Sequence, residues 1–187
     1  MKKSLSLVLI ALLVVGAAIA FTGCSSSAGT LKLGFASKTT VASSSDLTEK
    51  DGVKSGKVQA DTVMCAVTVD KDGKVVEIHI DTVQSPVTFD ETGKLTVDKT
   101  TVFKTKREKG DEYGMKKVSK IGREWYEQQD AIQKWMVGKT ADQIKNMKTT
   151  TTEEGGTISA ESDLATTATI KVTDYIEVAT AAIANAK

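Results

Sequence analysis

His79 is the only histidine, and it alternates with Ile78 and Ile80, so a strand carrying it turns the imidazole away from both. A Ser/His/Asp triad would need His79 as its base, and no G-x-S-x-G elbow accompanies it. A zinc site usually takes several His or Cys ligands, and only Cys65 could join His79. A half-exposed strand histidine is the simpler reading. Glu124 and Glu127 stand three apart and would share a helix face, where acid/base work competes with plain solvation. Asp70 and Asp72 lie among Lys71 and Lys74 without the carboxylate density of a calcium loop. No catalytic constellation emerges, and the expectation is a carrier or binding protein, not an enzyme.

Two other groups could hold a ligand. Trp125, Tyr126 and Trp135 could stack on a flat molecule, although Trp125 and Trp135 fall on a core-facing stripe. Tyr126 and Tyr113 lie off that stripe and are better placed for a ligand. Residues 104–109 carry Lys104, Lys106, Arg107 and Lys109, which could neutralise a phosphate or simply form a solvated basic segment. Nearer the C-terminus, residues 163–170 read D-L-A-T-T-A-T-I. This stretch is either a threonine-rich strand entrance or a place where a hydroxyl is modified.

The elements that must position these residues follow from periodicity. Residues 31–41 have strand character, and residues 42–57, polar with two glycines, read as a loop. Val63, Cys65, Val67 and Val69 share one face of a strand over residues 62–70. Asp72-Gly73 turns the chain, and Val76, Ile78 and Ile80 continue the alternation, which predicts a β-hairpin. Residues 87–89 and 95–97 predict a second, shorter one. A helix beginning near Ser119 carries Ile121, Trp125, Ile132, Trp135 and Met136 on one stripe and ends at Gly138. Thr140 with Gln143 predicts a capping box opening a short helix over residues 141–147. Residues 148–156 show no apolar periodicity and read as a loop. A strand over 168–172 and a helix over 175–186 close the chain, with Asp174 and Glu177 as a second capping box. The expected fold is α+β: an antiparallel sheet built from hairpins, with helices packed on it.

The N-terminus sets the compartment. Lys2 and Lys3 precede an apolar run over residues 5–20, and Phe21-Thr22-Gly23-Cys24 follows. This order resembles the lipobox of bacterial lipoproteins, in which the cysteine is lipidated and becomes the new N-terminus. The competing reading is an uncleaved transmembrane anchor, and Ser25-Ser26-Ser27, a tether-like run, favours the lipoprotein. The expected organisation is a signal peptide at 1–23, a lipidated tether at 24–30 and one domain at 31–187. Lipid on Cys24 would hold the chain at the extracytoplasmic face of the cell membrane, each buried methylene contributing about 0.8 kcal/mol. Loss of residues 1–23 removes two lysines and no acid, so the formal charge moves from +1 to −1. That balance lacks the basic excess expected of a nucleic-acid partner. With Cys24 lipidated, Cys65 has no partner for an intramolecular disulfide.

Three stretches resemble the FMN-binding domain family of bacterial electron-transfer lipoproteins and of flavin subunits in ion-pumping membrane complexes. Residues 67–81, V-T-V-D-K-D-G-K-V-V-E-I-H-I-D, are similar to the family's opening strand pair. Residues 163–169, D-L-A-T-T-A-T, are similar to its D-x-x-S/T-G-A-T motif, and the closing helix from Asp174 follows at the family's spacing. Residues 104–116 and 122–128 also resemble a subgroup of exported lipoproteins of anaerobic Gram-positive bacteria. The resemblance implies covalent FMN: a flavin transferase esterifies the last threonine of the motif, here Thr169, to the FMN phosphate. Asp163, Thr166 and Ala168 become the flanking recognition residues, and a membrane electron donor becomes the partner. Thr167 departs from the family's glycine, and a β-branched residue there narrows the room for transferase and phosphate. The alternative expectation is therefore a flavin-free ligand-binding or protein-interaction lipoprotein on the same fold.

Overall fold

A computed structural model describes residues 30–187. The expected signal peptide and Cys24 lie outside the described residues. Four strands form the main antiparallel sheet: β1 (Lys32–Thr40), β2 (Ser45–Lys50), β3 (Val53–Val69) and β4 (Val75–Asp90). β3 is the long central strand. β4 pairs with it from Ser55 to Val69, so β1 and β2 share its other edge, β1 along residues 61–69 and β2 along residues 53–57. The sheet with its helices makes the fold α+β, as the periodicity predicts.

Residues 42–57 are not the expected loop. They contain β2 and the start of β3, joined at Asp51 (φ 53°) and Gly52 (φ 77°). Two consecutive positive φ values define a type I′ hairpin turn, which Asp-Gly favours. The turn after β3 and the one after β4 repeat one device in the pentads Asp70–Lys74 and Asp90–Lys94. In each, the aspartate Oδ1 accepts the backbone N–H groups two and four residues on, and the glycine takes a positive φ. The second of these closes the expected short hairpin, with Phe89 opposite Leu95.

One face of the sheet is the core. Val63, Cys65, Val67 and Val69 are buried as the alternation predicts, opposite Ile78 and Ile80. The expected Val76 is exposed and Val75 is buried instead, because a bulge between Thr68 and Val69 shifts the register by one residue. The opposite face carries exposed Leu33 and Phe35, with Phe35 beside Ala66 and Ala66 beside the exposed His79.

Helices cover the core face. After α1 (Lys106–Lys109) and two 3₁₀ turns, Gly110–Tyr113 and Met115–Lys117, comes α2 (Trp125–Met136). α2 begins later than expected from Ser119, because Gly122 takes φ 62° and Glu124 serves as the N-cap. Of its expected stripe, Trp125, Ile132 and Met136 are buried and Ile121 and Trp135 half-buried. Gln128, Gln129 and Gln133 also go inside. The capping box at Thr140 and Gln143 forms and opens α3 (Ala141–Lys145). The loop expected over residues 148–156 instead begins with β5 (Thr149–Thr151), and its remainder turns the chain into β6 (Thr157–Ser159), which pairs with β5 as a small hairpin.

The last helix is α4 (Thr173–Ala184). The strand expected over 168–172 reduces to one bridge, Lys171 to Ile158. The expected capping box at Asp174 does not form, since Val172 is the N-cap and has no side-chain cap. Asp174 and Glu177 instead reach the Lys38 ammonium on β1. α4 lies hard against β1: a Cβ on Gly34 would come 1.9 Å from the Ala182 carbonyl oxygen. Beyond α4, Lys187 and Leu33 exchange two backbone hydrogen bonds. Among the described residues no helix is long and apolar enough to cross a membrane.

Candidate functional site

Thr169 sits in the connection between the 163–168 turn and α4, at the wall of a cleft of about 810 Å³. A volume of this size suits a drug- or cofactor-sized molecule. The cleft's walls come from distant parts of the chain: Lys106 of α1, residues 115–120, Trp125 and Gln128 of α2, the β5–β6 hairpin, and residues 169–175.

Gln128 joins two of these walls. It is fully buried, and its amide nitrogen donates to the Arg123 carbonyl (3.1 Å) and the Ser119 hydroxyl (3.3 Å). That leaves Oε1 facing Thr169, whose backbone N–H and hydroxyl both donate to it. Residues 115–120 are held by Glu124. This residue is only 2% exposed, and its two carboxylate oxygens accept from the backbone N–H groups of Met115 (2.9 Å) and Lys116 (3.0 Å). Glu124 and Glu127 are thus not a solvated pair: Glu124 is a buried anchor, and Glu127 accepts from its backbone N–H at 2.7 Å.

The inner wall is aromatic. Trp125 and Tyr175 meet edge to face with centroids 6.2 Å apart, and the indole N–H donates to the Tyr175 hydroxyl at 2.9 Å. Burial pushes the Tyr175 phenol up to about 12, partly offset by that N–H. The Lys106 ammonium lies over both the Tyr113 ring (4.9 Å to centroid) and the Trp125 ring (5.4 Å). Burial lowers its pKa to about 8 against the pull of the Asp61 and Asp81 carboxylates. Lys120 and Lys171, both exposed, add charge at the cleft, and Glu153 and Glu154 of the hairpin oppose it. Lys171 crosses the hairpin because residue 156 is glycine; a Cβ there would lie 2.7 Å from Lys171 Cε.

The remaining expected site residues divide. Ala168 is buried in the core beside Leu164, whereas Asp163 and Thr166 are exposed and outside the cleft lining. Thr167 is also outside that lining. It occupies a helical turn with negative φ, and its hydroxyl donates to the carbonyls of Asp163 (3.2 Å) and Leu164 (3.4 Å). Tyr126 donates to Asp111 away from the cleft, and Tyr113 reaches Gln84. The basic segment splits as well. Arg107 is half-buried, pairing with Asp130 at 2.7 Å and donating to the Ile80 carbonyl, while Lys106 alone of the four enters the cleft. Cys65 is fully buried, which pushes its thiol up to about 12.

Compared with family models, with curated proteins and with solved structures, the chain matches none of them. The chemistry of the cleft therefore rests on its own residues. Gln128 is not singled out in the sequence, and Lys106 stands there only as one of four cations in a basic segment. A glutamine on a helix and a lysine in a basic run look solvated until the fold closes over them.

Proposed function

We propose that this chain is an extracytoplasmic lipoprotein, anchored through Cys24, whose cleft holds FMN esterified to Thr169 and whose role is electron transfer near the membrane. The observation that carries this reading is the position of Thr169. The threonine picked out by the motif lies on the wall of the cleft that also holds aromatic, apolar and cationic side chains. The residues fit the group. Met115, Ile158 and Ile170 offer apolar contact for a ring system, and Lys106, Lys120 and Lys171 offer cations for a phosphate. FMN, when bound, supplies reversible one- and two-electron transfer.

The chain's own part is to present the hydroxyl. Gln128 fixes the direction of the Thr169 O–H and leaves oxygen lone pairs for bond formation. A threonine hydroxyl is a weak nucleophile and needs a base, which a separate transferase would supply. The new Thr169 oxygen–phosphorus bond replaces the anhydride bond of an activated flavin nucleotide, the hydroxyl proton passes to the transferase, and a nucleoside monophosphate leaves. Co-expression with a flavin transferase tests this reading through in-gel fluorescence under denaturing conditions and intact mass. An unshifted mass, with no FMN in the native protein, would refute it.

A second reading, a flavin-free binding or interaction lipoprotein, is favoured by the same hydrogen bonds. The tie to Gln128 gives Thr169 a structural duty that needs no modification. It predicts a colourless protein whose function survives Thr169→Ala.

A further inference from the structure

Lys106 is the half-buried cation of the cleft, and among the described residues no carboxylate comes within ion-pair distance of it. Among the described residues its ammonium makes no ion pair, whereas its neighbour Arg107 is paired with Asp130. The groups facing it are two aromatic rings, Tyr113 and Trp125, and the more distant carboxylates of Asp61 on β3 and Asp81 on β4. Aspartate contact is drawn elsewhere: Asp61 is hydrogen-bonded by Ser43 and Gln59, and Asp81 by the backbone N–H groups of Thr82 and Arg107. A charge held away from water without a close partner costs free energy that an incoming opposite charge recovers.

We propose that Lys106 is the anion-receiving group of the cleft, so that the cleft selects a flat apolar or aromatic compound bearing a phosphate or carboxylate oxygen. This rests on the reading of the cleft as a ligand site and is independent of whether Thr169 is esterified. Met115, Ile158 and Ile170, backed by the buried Trp125 and Tyr175, meet the apolar body, and the ammonium meets the anion. The exposed Lys120 and Lys171 act at the mouth, where solvent screens them.

The test uses the full-length chain in detergent and calorimetric titration with 1-naphthyl phosphate, 1-naphthoate and neutral 1-naphthol, which share one ring system. The parent protein is expected to bind at least one of the two anions about tenfold or more tightly than 1-naphthol, a difference typical of a charge-assisted contact. The phosphate and carboxylate arms show which anion is preferred. Lys106→Met and Lys106→Gln are expected to lose the preference, and Lys104→Gln, in the same basic segment but outside the cleft lining, to keep it. Thermal melting checks that each variant is folded. A parent protein without preference for either anion, or Lys106 variants that retain the preference, would overturn the proposal. FMN and riboflavin, titrated into Thr169→Ala protein, separate the two readings. Naphthyl selectivity without flavin binding, in a protein whose parent mass also stays unshifted on co-expression with a flavin transferase, defeats the flavin assignment alone. Flavin binding that favours FMN equally in Thr169→Ala and in its double variant with Lys106→Met defeats the role of Lys106 alone.

Discussion

The Oε1 atom of buried Gln128 accepts two hydrogen bonds from Thr169, one from the backbone N–H at 2.9 Å and one from the hydroxyl at 3.3 Å. Replacing Gln128 with leucine keeps the bulk and strands the Thr169 N–H. The expected loss is about 1–3 kcal/mol in urea unfolding, the usual cost of an unmet buried donor. In a strain that modifies Thr169, the leucine variant should also show a smaller modified fraction by intact mass. Unchanged stability would mean that water replaces the amide without penalty.

Thr167 gives a separate prediction. Its negative φ and back-bonded hydroxyl show that a glycine's freedom is not needed at this position. Thr167→Gly should lower stability by about 0.5–1 kcal/mol through unfolded-chain entropy. It should not raise the extent of modification at Thr169. A large gain in modified protein would show that the threonine obstructs the transferase, despite lying outside the cleft lining.

Glu124 has no such tolerance. Both its oxygens are committed to backbone N–H groups in a buried position, so Glu124→Ala should cost about 3 kcal/mol or more. The wall formed by residues 115–120 should loosen with it. Hydrogen exchange at the Met115 and Lys116 amides is the direct measurement, and protection retained in the variant would contradict the anchoring role.

Gln129 is the opposite case. It is fully buried on α2, and neither amide atom has a partner among the described residues. Gln129→Met, similar in volume, should raise stability by about 1–2 kcal/mol by removing an unmet polar group. A drop in the urea midpoint would reveal a partner for the amide.

Lys106 makes stability depend on pH in an unusual direction. Burial lowers its pKa from 10.5 to about 8, so between these values the unfolded chain keeps a proton that the folded chain has released. Its destabilising contribution is therefore complete below about pH 8 and fades as pH rises toward 10.5. The stability advantage of Lys106→Met over the parent should shrink across that window. A difference that stays flat with pH would contradict it.

What was legible in the sequence follows from how each element is stabilised. The strand with Val63, Cys65, Val67 and Val69 buries one whole face, so its alternation is plain, and the Asp72-Gly73 turn stands between two such runs. β2 is exposed throughout, as are all three residues of β5, so neither carries an apolar pattern to read. Pairing to a neighbouring strand holds them, and pairing leaves no mark on composition. The Val75 shift was hidden for a related reason: a bulge changes which residue points inward without changing any residue type. Asp174 and Glu177 had the spacing of a capping box, but Lys38, remote in sequence, is where they bind. The candidate site divides the same way. Thr169 is marked by its local motif, whereas Gln128 stands 41 positions away and joins it only through the fold.

Leu33 and Lys187 exchange both their backbone hydrogen bonds at 3.2 Å, which laces the end of the domain to its first strand. In topological terms the described chain is close to a ring that happens to be open at one place. A circular permutant of the described residues, joined across that seam and opened in the exposed loop at residues 98–101, interrupts no strand pairing and no helix and is expected to fold to the same arrangement. The order in which these elements occur along the backbone is thus separable from their arrangement in space.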